Sequence, residues 1–96
     1  MGAPIYMLAV VDIHTRKLRY FVMLAEELHF SRAAVRLNMA QQALSKQIRE
    51  IEGLLGAELF RRTSRRVELT AAGAAFLETA RTVLSALDGG AETVPG

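Results

Sequence analysis

Four polar side chains recur along one short stretch of the chain, at a spacing that would place them on one face of a helix. They are Gln42, Ser45, Lys46 and Arg49. Residues three and four positions apart are neighbours on a helix surface, so an amide, a hydroxyl, an ammonium and a guanidinium would lie side by side. These groups hydrogen-bond to base edges and phosphates, although an ordinary solvated face has the same appearance. The surrounding elements must decide between the two interpretations.

The helix that carries this face is predicted to begin at Gln41 and to end before Gly56. Its apolar residues recur at steps of four and three residues, which is the spacing of an amphipathic helix. They are Leu44, Ile48 and Ile51. Gly56 is the residue type that adopts the left-handed conformation just past a helix end. Gln41 and Gln42 would then lie in the first turn of this helix.

Two further helices are predicted to precede it. The first starts near Thr15, a suitable N-cap residue. The second is short, with Ser31 as its predicted N-cap and with Phe30 packing on Val35 as a hydrophobic staple. A tight turn at residues 38–39 would join this second helix to the next one. Two short helices joined in this way form a helix-turn-helix.

The pattern changes beyond the third helix. Two short extended segments, residues 59–61 and 67–69, flank a polar tip and predict a β-hairpin, or wing. Thr70 is predicted to cap a fourth helix, which ends at Asp88. The apolar residues of this helix have the spacing of a helix that packs along another. They could be ordinary core, but three short helices and a hairpin are not expected to cover both sides of an 18-residue helix, so they are predicted to form a dimerisation face. They are Phe76, Ala80, Val83 and Leu87.

Composition and charge favour one small domain with a polyanionic partner. The chain has 96 residues, and 51% of them are hydrophobic, which is enough for a packed core. The net charge is only +2, but positive charge is concentrated in the middle of the chain. Between Arg32 and Arg66 there are eight basic and three acidic residues. Such a concentration is typical of a protein that binds nucleic acid.

Several classes of function are disfavoured. The absence of cysteine excludes a disulfide framework, a zinc finger and a thiol nucleophile. With two histidines at positions 14 and 29 and no carboxylate at ligand spacing, the sequence predicts no metal site, no cofactor and no catalytic residue. The apolar run at residues 5–11 is too short to span a bilayer, so no membrane association is expected. A cytoplasmic protein is predicted.

The order helix, helix-turn-helix, basic wing and long helix resembles the N-terminal DNA-binding domain of LysR-type transcriptional regulators. The resemblance covers about residues 13–87. It depends on the combination of "LRYF", "SRAAVRL", "AQQALSKQIREIE", "LFRRTSR" and "LTAAG". It implies a mainly α fold, a winged helix-turn-helix with a three-helix core and a two-stranded β-wing, followed by a long dimerisation or linker helix.

On this basis the chain divides into four segments. A poorly ordered N-terminal extension is expected at residues 1–12 and the winged helix-turn-helix at residues 13–70. The linker or dimerisation helix would occupy residues 71–88, and a tail would follow at residues 89–96. The resemblance also implies a C-terminal effector-binding domain beyond this chain. A small-molecule effector would act only through that domain.

The resemblance places the predicted DNA contacts on three elements. The third helix would contribute base and phosphate contacts from Gln41, Gln42, Ser45 and Lys46. Arg49, further along, is predicted to contact phosphate, although an ion pair with Glu52 or with a neighbouring helix is an alternative. The wing would insert Arg65 into the minor groove, with Arg62 and Ser64 on phosphates. A charged, soluble hairpin edge is the alternative there. Ser31 and Arg32 would bind phosphate at the start of the second helix, or Ser31 would only cap it.

The function that this implies is sequence-specific binding of double-stranded DNA by a bacterial transcription regulator. A homodimer formed through the fourth helix would place two recognition helices on an imperfect inverted repeat. The alternative is a winged-helix module for protein–protein interaction, but such a face would be expected to carry aromatic or large apolar residues. The family often has Ser and Pro where this chain has Ala40 and Gln42. Gln42 is therefore predicted to alter the base preference.

Overall fold

The computed structural model describes residues 15–63 and 66–88, and its elements follow the predicted order. The elements are α1 (Thr15–Glu27), α2 (Phe30–Leu37), α3 (Gln41–Leu55), β1 (Phe60–Arg62), β2 (Val67–Leu69) and α4 (Ala71–Asp88). The two strands pair antiparallel. The predicted fold class, a mainly α winged helix-turn-helix followed by a long helix, is confirmed. The predicted extension at residues 1–12, the tail at residues 89–96 and the wing-tip residues Ser64 and Arg65 lie outside the described residues.

Helix α1 is the centre of the core, because it packs against α2, α3 and α4. The fully buried residues of α1 and α3 are Leu18, Phe21, Leu24, Leu44, Ile48 and Ile51. The ring centroid of Phe21 lies 5.4 Å from that of Phe60 in β1 and 4.9 Å from that of Phe76 in α4. Both separations are in the range of favourable tilted aromatic pairs. One side chain of α1 thus holds the wing and α4 against the helix-turn-helix.

The turn between α2 and α3 forms as predicted. Asn38 is left-handed, with φ of 56°, which asparagine tolerates better than most residues. The Met39 N–H donates to the Ala34 carbonyl at 3.0 Å, so the turn satisfies a carbonyl at the end of α2. Helix α3 then begins at Gln41 and ends at Leu55, just before Gly56, where φ is 68°. The predicted bounds of the recognition-helix candidate are confirmed.

The start of α2 differs from the prediction. Helix α2 begins at Phe30, and its N-cap is His29, whose Nδ1 accepts a hydrogen bond from the Arg32 N–H at 3.2 Å. Ser31 therefore lies inside the first turn, and its prediction as the N-cap is wrong. The staple is also wrong, because Val35 is 78% exposed. Serine is the stronger cap in general, but here α1 ends at Glu27, and left-handed Leu28 (φ 51°) leads the chain into α2.

The wing is displaced by one residue at its first strand. Phe60 pairs with Leu69, so β1 covers residues 60–62 rather than the predicted 59–61. The cause is a carboxylate of α3: Glu52 Oε2 accepts hydrogen bonds from the N–H groups of Leu59 at 2.8 Å and Phe60 at 3.2 Å. These bonds fix the entry to β1 on the end of α3, and the ladder begins only at Phe60. The second strand, β2, lies where predicted.

Helix α4 has the predicted cap, but part of its predicted dimerisation face is buried in the single chain. The Thr70 hydroxyl accepts a hydrogen bond from the Gly73 N–H at 2.9 Å and donates to the Glu58 carbonyl at 2.5 Å. Phe76 and Ala80 are 8% and 0% exposed inside the core of the single chain. These two side chains therefore pack the core of the chain itself and leave little surface for a second copy, so their role as dimerisation contacts stays a prediction. Of that set, the structure leaves Val83 half-buried and Leu87 exposed.

Gly53 offers a simple way to stabilise the chain. It lies in α3, and a Cβ atom built on it would meet no atom within 4 Å. Gly53→Ala is expected to raise the free energy of unfolding by about 1 kcal/mol, because glycine is the poorer residue inside a helix. Denaturant unfolding followed by circular dichroism would measure the change. Gly56→Ala is the matched control, expected to act in the opposite direction since its φ is +68°. A destabilised Gly53→Ala would contradict the prediction.

Two ion pairs make the stability of the chain depend on pH. The Lys17 Nζ atom of α1 lies 2.7 Å from Glu50 of α3, and the Arg36 Nη1 atom of α2 lies 2.7 Å from Glu27 of α1. The hydrogen bond from Arg36 lowers the pKa of Glu27 below its ordinary value of 4.5. The hydrogen bond from Lys17 does the same for the pKa of Glu50. Each pair therefore joins α1 to one helix of the helix-turn-helix through a carboxylate that is harder to protonate when folded.

The free energy of unfolding is expected to fall as the solution is acidified. A carboxyl group with a lowered folded-state pKa contributes stability above its unfolded pKa, and that contribution is lost as the pH falls through the folded value. The loss should therefore begin near pH 4.5 and continue below it. Urea unfolding over a series of pH values would measure it. The double variant Glu27→Gln/Glu50→Gln should show a flatter dependence, and an unchanged dependence would contradict this assignment.

Candidate nucleic-acid interface

The polar face of α3 lies opposite its buried face. Gln41, Gln42, Lys46 and Arg49 are exposed and Ser45 is half-buried. The buried residues of α3 are all apolar, and they pack the helix against the core. Among residues 15–63 and 66–88, every helix is too short or too polar to cross a bilayer. The exposed face of α3 thus presents one amide-rich turn, a hydroxyl and two cations to solvent.

Arg49 has no ion-pair partner among residues 15–63 and 66–88. The predicted alternative, an ion pair with Glu52, is absent, because the Glu52 carboxylate accepts hydrogen bonds from the backbone of residues 59–60. Within the part of the chain that the structure describes, Arg49 forms no ion pair with any acidic residue. Its guanidinium is therefore available to an external anion. It lies two turns into α3, beyond the glutamines of the first turn.

Arg62 joins the wing to the helix-turn-helix. Its Nη1 atom donates to the Ser45 hydroxyl at 3.1 Å, and its guanidinium carbon lies 4.7 Å from the ring centroid of Phe30. The first distance is that of a hydrogen bond, and the second is that of a cation–π interaction. One residue of β1 therefore contacts α3 and the first residue of α2. Because a guanidinium has five N–H donors, this arrangement leaves donors for a phosphate.

Two predicted DNA contacts lie at the start of α2. Ser31 is hydrogen-bonded within the chain, and Arg32 is in an ion pair. The Ser31 hydroxyl donates to the Gln41 Oε1 atom at 2.9 Å, which links the two helices of the helix-turn-helix. The Arg32 Nε atom lies 3.4 Å from Glu27, and Glu27 also binds Arg36. Arg32 is nevertheless largely exposed, with 66% of its side chain accessible. An exposed ion pair of this kind is weak and can yield to a phosphate.

The structure brings most of the predicted contacts to one side of the chain. Ser31 touches Gln41, and Ser45 touches Arg62. Ser31 and Gln41 also line an open groove of about 220 Å³ with the wing residues Thr63 and Arg66. Ser64 and Arg65 fall in the gap between the described ranges, and their placement is not described.

Three features of the site were missed by the sequence prediction. His29 caps α2, Phe30 supports the Arg62 guanidinium, and Glu52 fixes the start of the wing. The His29 cap spans only three residues, but it competes with Ser31, which is the more common cap residue. The contact of Phe30 with Arg62 and the bonds of Glu52 join different elements. No periodic pattern reports those contacts.

Sequence comparison places the chain among bacterial regulators. Residues 15–74 match the family described as "Bacterial regulatory helix-turn-helix protein, lysR family". The chain is 55% identical over 78 residues to the HTH-type transcriptional regulator YnfL of Escherichia coli K12. It is 52% identical over 77 residues to AlsR of Bacillus subtilis 168. These alignments cover 81% and 80% of this chain but 26% of each relative, so the chain spans about a quarter of their length.

Solved structures agree with this placement. The CbnR_DBD–DNA complex has a TM-score of 0.78 at 39% identity, covering 82% of this chain and 91% of that chain. The BenM_DBD/catB site 1 DNA complex has a TM-score of 0.77 at 42% identity, covering 82% and 88%. The chain therefore belongs to the lysR family of bacterial regulatory helix-turn-helix proteins and contains the DNA-binding domain of such a transcription regulator.

Proposed function

We propose that the chain binds double-stranded DNA in a sequence-specific way, with α3 in the major groove and the wing in the adjacent minor groove. The observation that carries this proposal is the exposed face of α3, where amides precede cations along one helix. In a helix-turn-helix, the N-terminal residues of the second helix reach the base edges. The similarity to CbnR and BenM chains solved with DNA supports DNA as the partner.

The roles along α3 follow from position and chemistry. Gln41 and Gln42 lie in the first turn and offer amides that can pair with base edges. Lys46 and Arg49 lie further along and would hold phosphates, which fix the register without reading sequence. Ser45 is oriented by Arg62, so its hydroxyl hydrogen can still donate to a base or a phosphate.

The wing would extend the contact into the minor groove. Arg62 holds the base of the wing against α3 and Phe30, and this contact supports a fixed angle between the two DNA-reading elements. Arg65 would insert into the minor groove, where the negative potential favours arginine. Ser64 and the free donors of Arg62 would bind phosphates beside it. Arg32 would reach a phosphate from α2.

The active form would be a homodimer joined through α4. Since Phe76 and Ala80 are buried in the chain itself, the contact with a second copy would use Val83, Leu87 and the exposed residues beside them. Two copies would bind an imperfect inverted repeat. The whole regulator would act in the cytoplasm, with a small-molecule effector binding to a C-terminal domain.

Selection of bound sequences from randomised duplex DNA tests this function. The expected result is an enriched inverted repeat whose half-sites are separated by about 10 base pairs or a multiple of that spacing. Recovery of a single half-site would contradict the dimer but not the DNA-reading face. Recovery of no enriched sequence would contradict DNA reading and would favour the protein-interaction alternative.

A further inference from the structure

We propose that Ser31 is a positioning residue that sets the base preference of Gln41; this inference rests on the proposed DNA-reading role of α3. The Ser31 hydroxyl donates to the Gln41 Oε1 atom at 2.9 Å. The contact joins two residues ten positions apart, one in the first turn of each helix of the helix-turn-helix. Both side chains are exposed. Because both side chains face solvent, this hydrogen bond lies where a DNA ligand would meet it, and it does not pack the core.

The geometry makes the orientation of the amide specific. Ser31 is held in place because His29 caps the first turn of α2 through the Arg32 N–H. Gln41 is held by the start of α3, where Ala40 provides no side-chain cap that could compete. Within the described residues, the structure gives the Gln41 amide one side-chain partner, Ser31. An amide carries its oxygen and its nitrogen on opposite sides, so fixing Oε1 on Ser31 turns Nε2 away from it.

This orientation changes which base edge fits. The bidentate pairing of glutamine with adenine needs Oε1 to accept from N6 and Nε2 to donate to N7. The Ser31 hydroxyl occupies one lone pair of Oε1 and turns this oxygen toward α2, so the side of the amide left for a base edge carries mainly the two Nε2 donors. Guanine presents only acceptors, O6 and N7, at its major-groove edge. The parent chain should therefore prefer guanine to adenine at the base pair that Gln41 contacts.

Two variants of Ser31 separate positioning from other roles. Ser31→Ala removes the donor and frees Oε1, so the ratio of affinities for adenine over guanine should rise by about fivefold or more at one base pair. Ser31→Thr keeps a hydroxyl and should keep the parental ratio. Both variants should unfold at the parental temperature, because Ser31 is exposed and caps no backbone group.

The measurement uses the full chain and four duplexes that differ at one base pair of the selected site. That base pair is found as the position at which Gln41→Ala abolishes the preference. Affinities would be measured by fluorescence anisotropy at one salt concentration. In the Ser31→Ala/Gln41→Ala double variant, the profile should equal that of Gln41→Ala alone. A merely structural role for Ser31 would not confine its effect to this one base pair.

The other outcomes each overturn the inference in a distinguishable way. An equal loss on all four duplexes would make Ser31 a phosphate contact and leave sequence reading by α3 intact. A shift toward guanine in Ser31→Ala would mean that Nε2, not Oε1, meets the serine. An unchanged ratio would mean that Ser31 does not orient the amide in the complex. If the parent chain selects no sequence at all, the proposed function fails and the inference fails with it.

Discussion

Gly73→Ala is expected to destabilise the chain by about 3 kcal/mol or more. A Cβ atom built on Gly73 would lie 2.0 Å from the Leu59 carbonyl oxygen, 2.9 Å from its carbonyl carbon and 2.9 Å from the Leu69 Cδ2 atom. Two of these three atoms belong to the backbone, so no rotamer change can make room. The same Leu59 carbonyl accepts a hydrogen bond from the Thr70 N–H at 3.0 Å, which opposes its movement.

Thermal unfolding followed by circular dichroism would measure this effect. At about 4–8 °C per kcal/mol for a domain of this size, the midpoint should fall by more than about 12 °C. Gly53→Ala is the matched control, since the same added methyl group meets nothing within 4 Å in α3. Unfolding of Gly73→Ala at the parental temperature would show that α4 and the segment before β1 separate at little cost. The close approach would then not fix the wing to α4.

The position of Gly73 also explains how the wing is held. Glu52 of α3 binds the N–H groups of Leu59 and Phe60, and Gly73 of α4 packs against the Leu59 carbonyl. The residue that leads into β1 is therefore held from two sides by different helices. Arg62 then fixes the other end of β1 on Ser45. A short two-stranded wing, which would be marginal alone, gains its position from these contacts.

The sequence predicted those parts of the fold that depend on local signals. The bounds of α3 follow from the period of Leu44, Ile48 and Ile51 together with left-handed Gly56. The Thr70 cap is likewise local, and it is confirmed. The predicted start of α2 was wrong because both Ser31 and His29 can cap a helix, and the place where α1 ends determines which of them does. That decision belongs to tertiary structure, which outweighs cap preference.

The face of α4 shows the same limit more clearly. A 4-3-4 spacing identifies an apolar stripe, but it does not say whether the stripe covers the chain's own core or a second copy. Phe76 and Ala80 face α1, because Phe21 supplies an aromatic partner at 4.9 Å. Leu87, beyond the reach of that core, is 60% exposed. One stripe therefore changes its environment along the helix, which the spacing cannot report.

The candidate site could be predicted by residue type but not by pairing. The exposed face of α3 was predicted, since polar residues at helical spacing opposite an apolar stripe must face away from the core. The bonds of Ser31 to Gln41 and of Arg62 to Ser45 were not predicted. A sequence does not show whether a serine or an arginine binds a phosphate or another side chain of the same protein. Only the juxtaposition of α2, α3 and β1 separates these roles.

The affinity of the chain for its DNA site is expected to fall about 10³- to 10⁵-fold when the salt concentration rises from about 50 mM to about 200 mM. This range applies to a protein that makes about 6–10 phosphate contacts, each of which releases condensed counterions. The candidate phosphate ligands in each copy are Arg32, Lys46, Arg49 and Arg62. A dimer would double that set and reach the range. Affinity measured at several salt concentrations gives the slope of log K against log [salt].

The contribution of Arg49 to the slope of log K against log [salt] can be measured by comparison with Arg81. Arg49→Gln should reduce the slope by about 0.9 per copy, and so by about 1.8 in a dimer, while leaving the selected sequence unchanged. Arg81→Gln is the control of equal charge, because Arg81 lies on α4 against α1, 3.7 Å from Glu26, and away from the proposed DNA contacts. Equal effects of the two substitutions would mean that net charge, rather than contact at α3, carries the electrostatic attraction. A loss of base preference in Arg49→Gln would instead place Arg49 on a base edge, because phosphate contacts weaken all sequences alike.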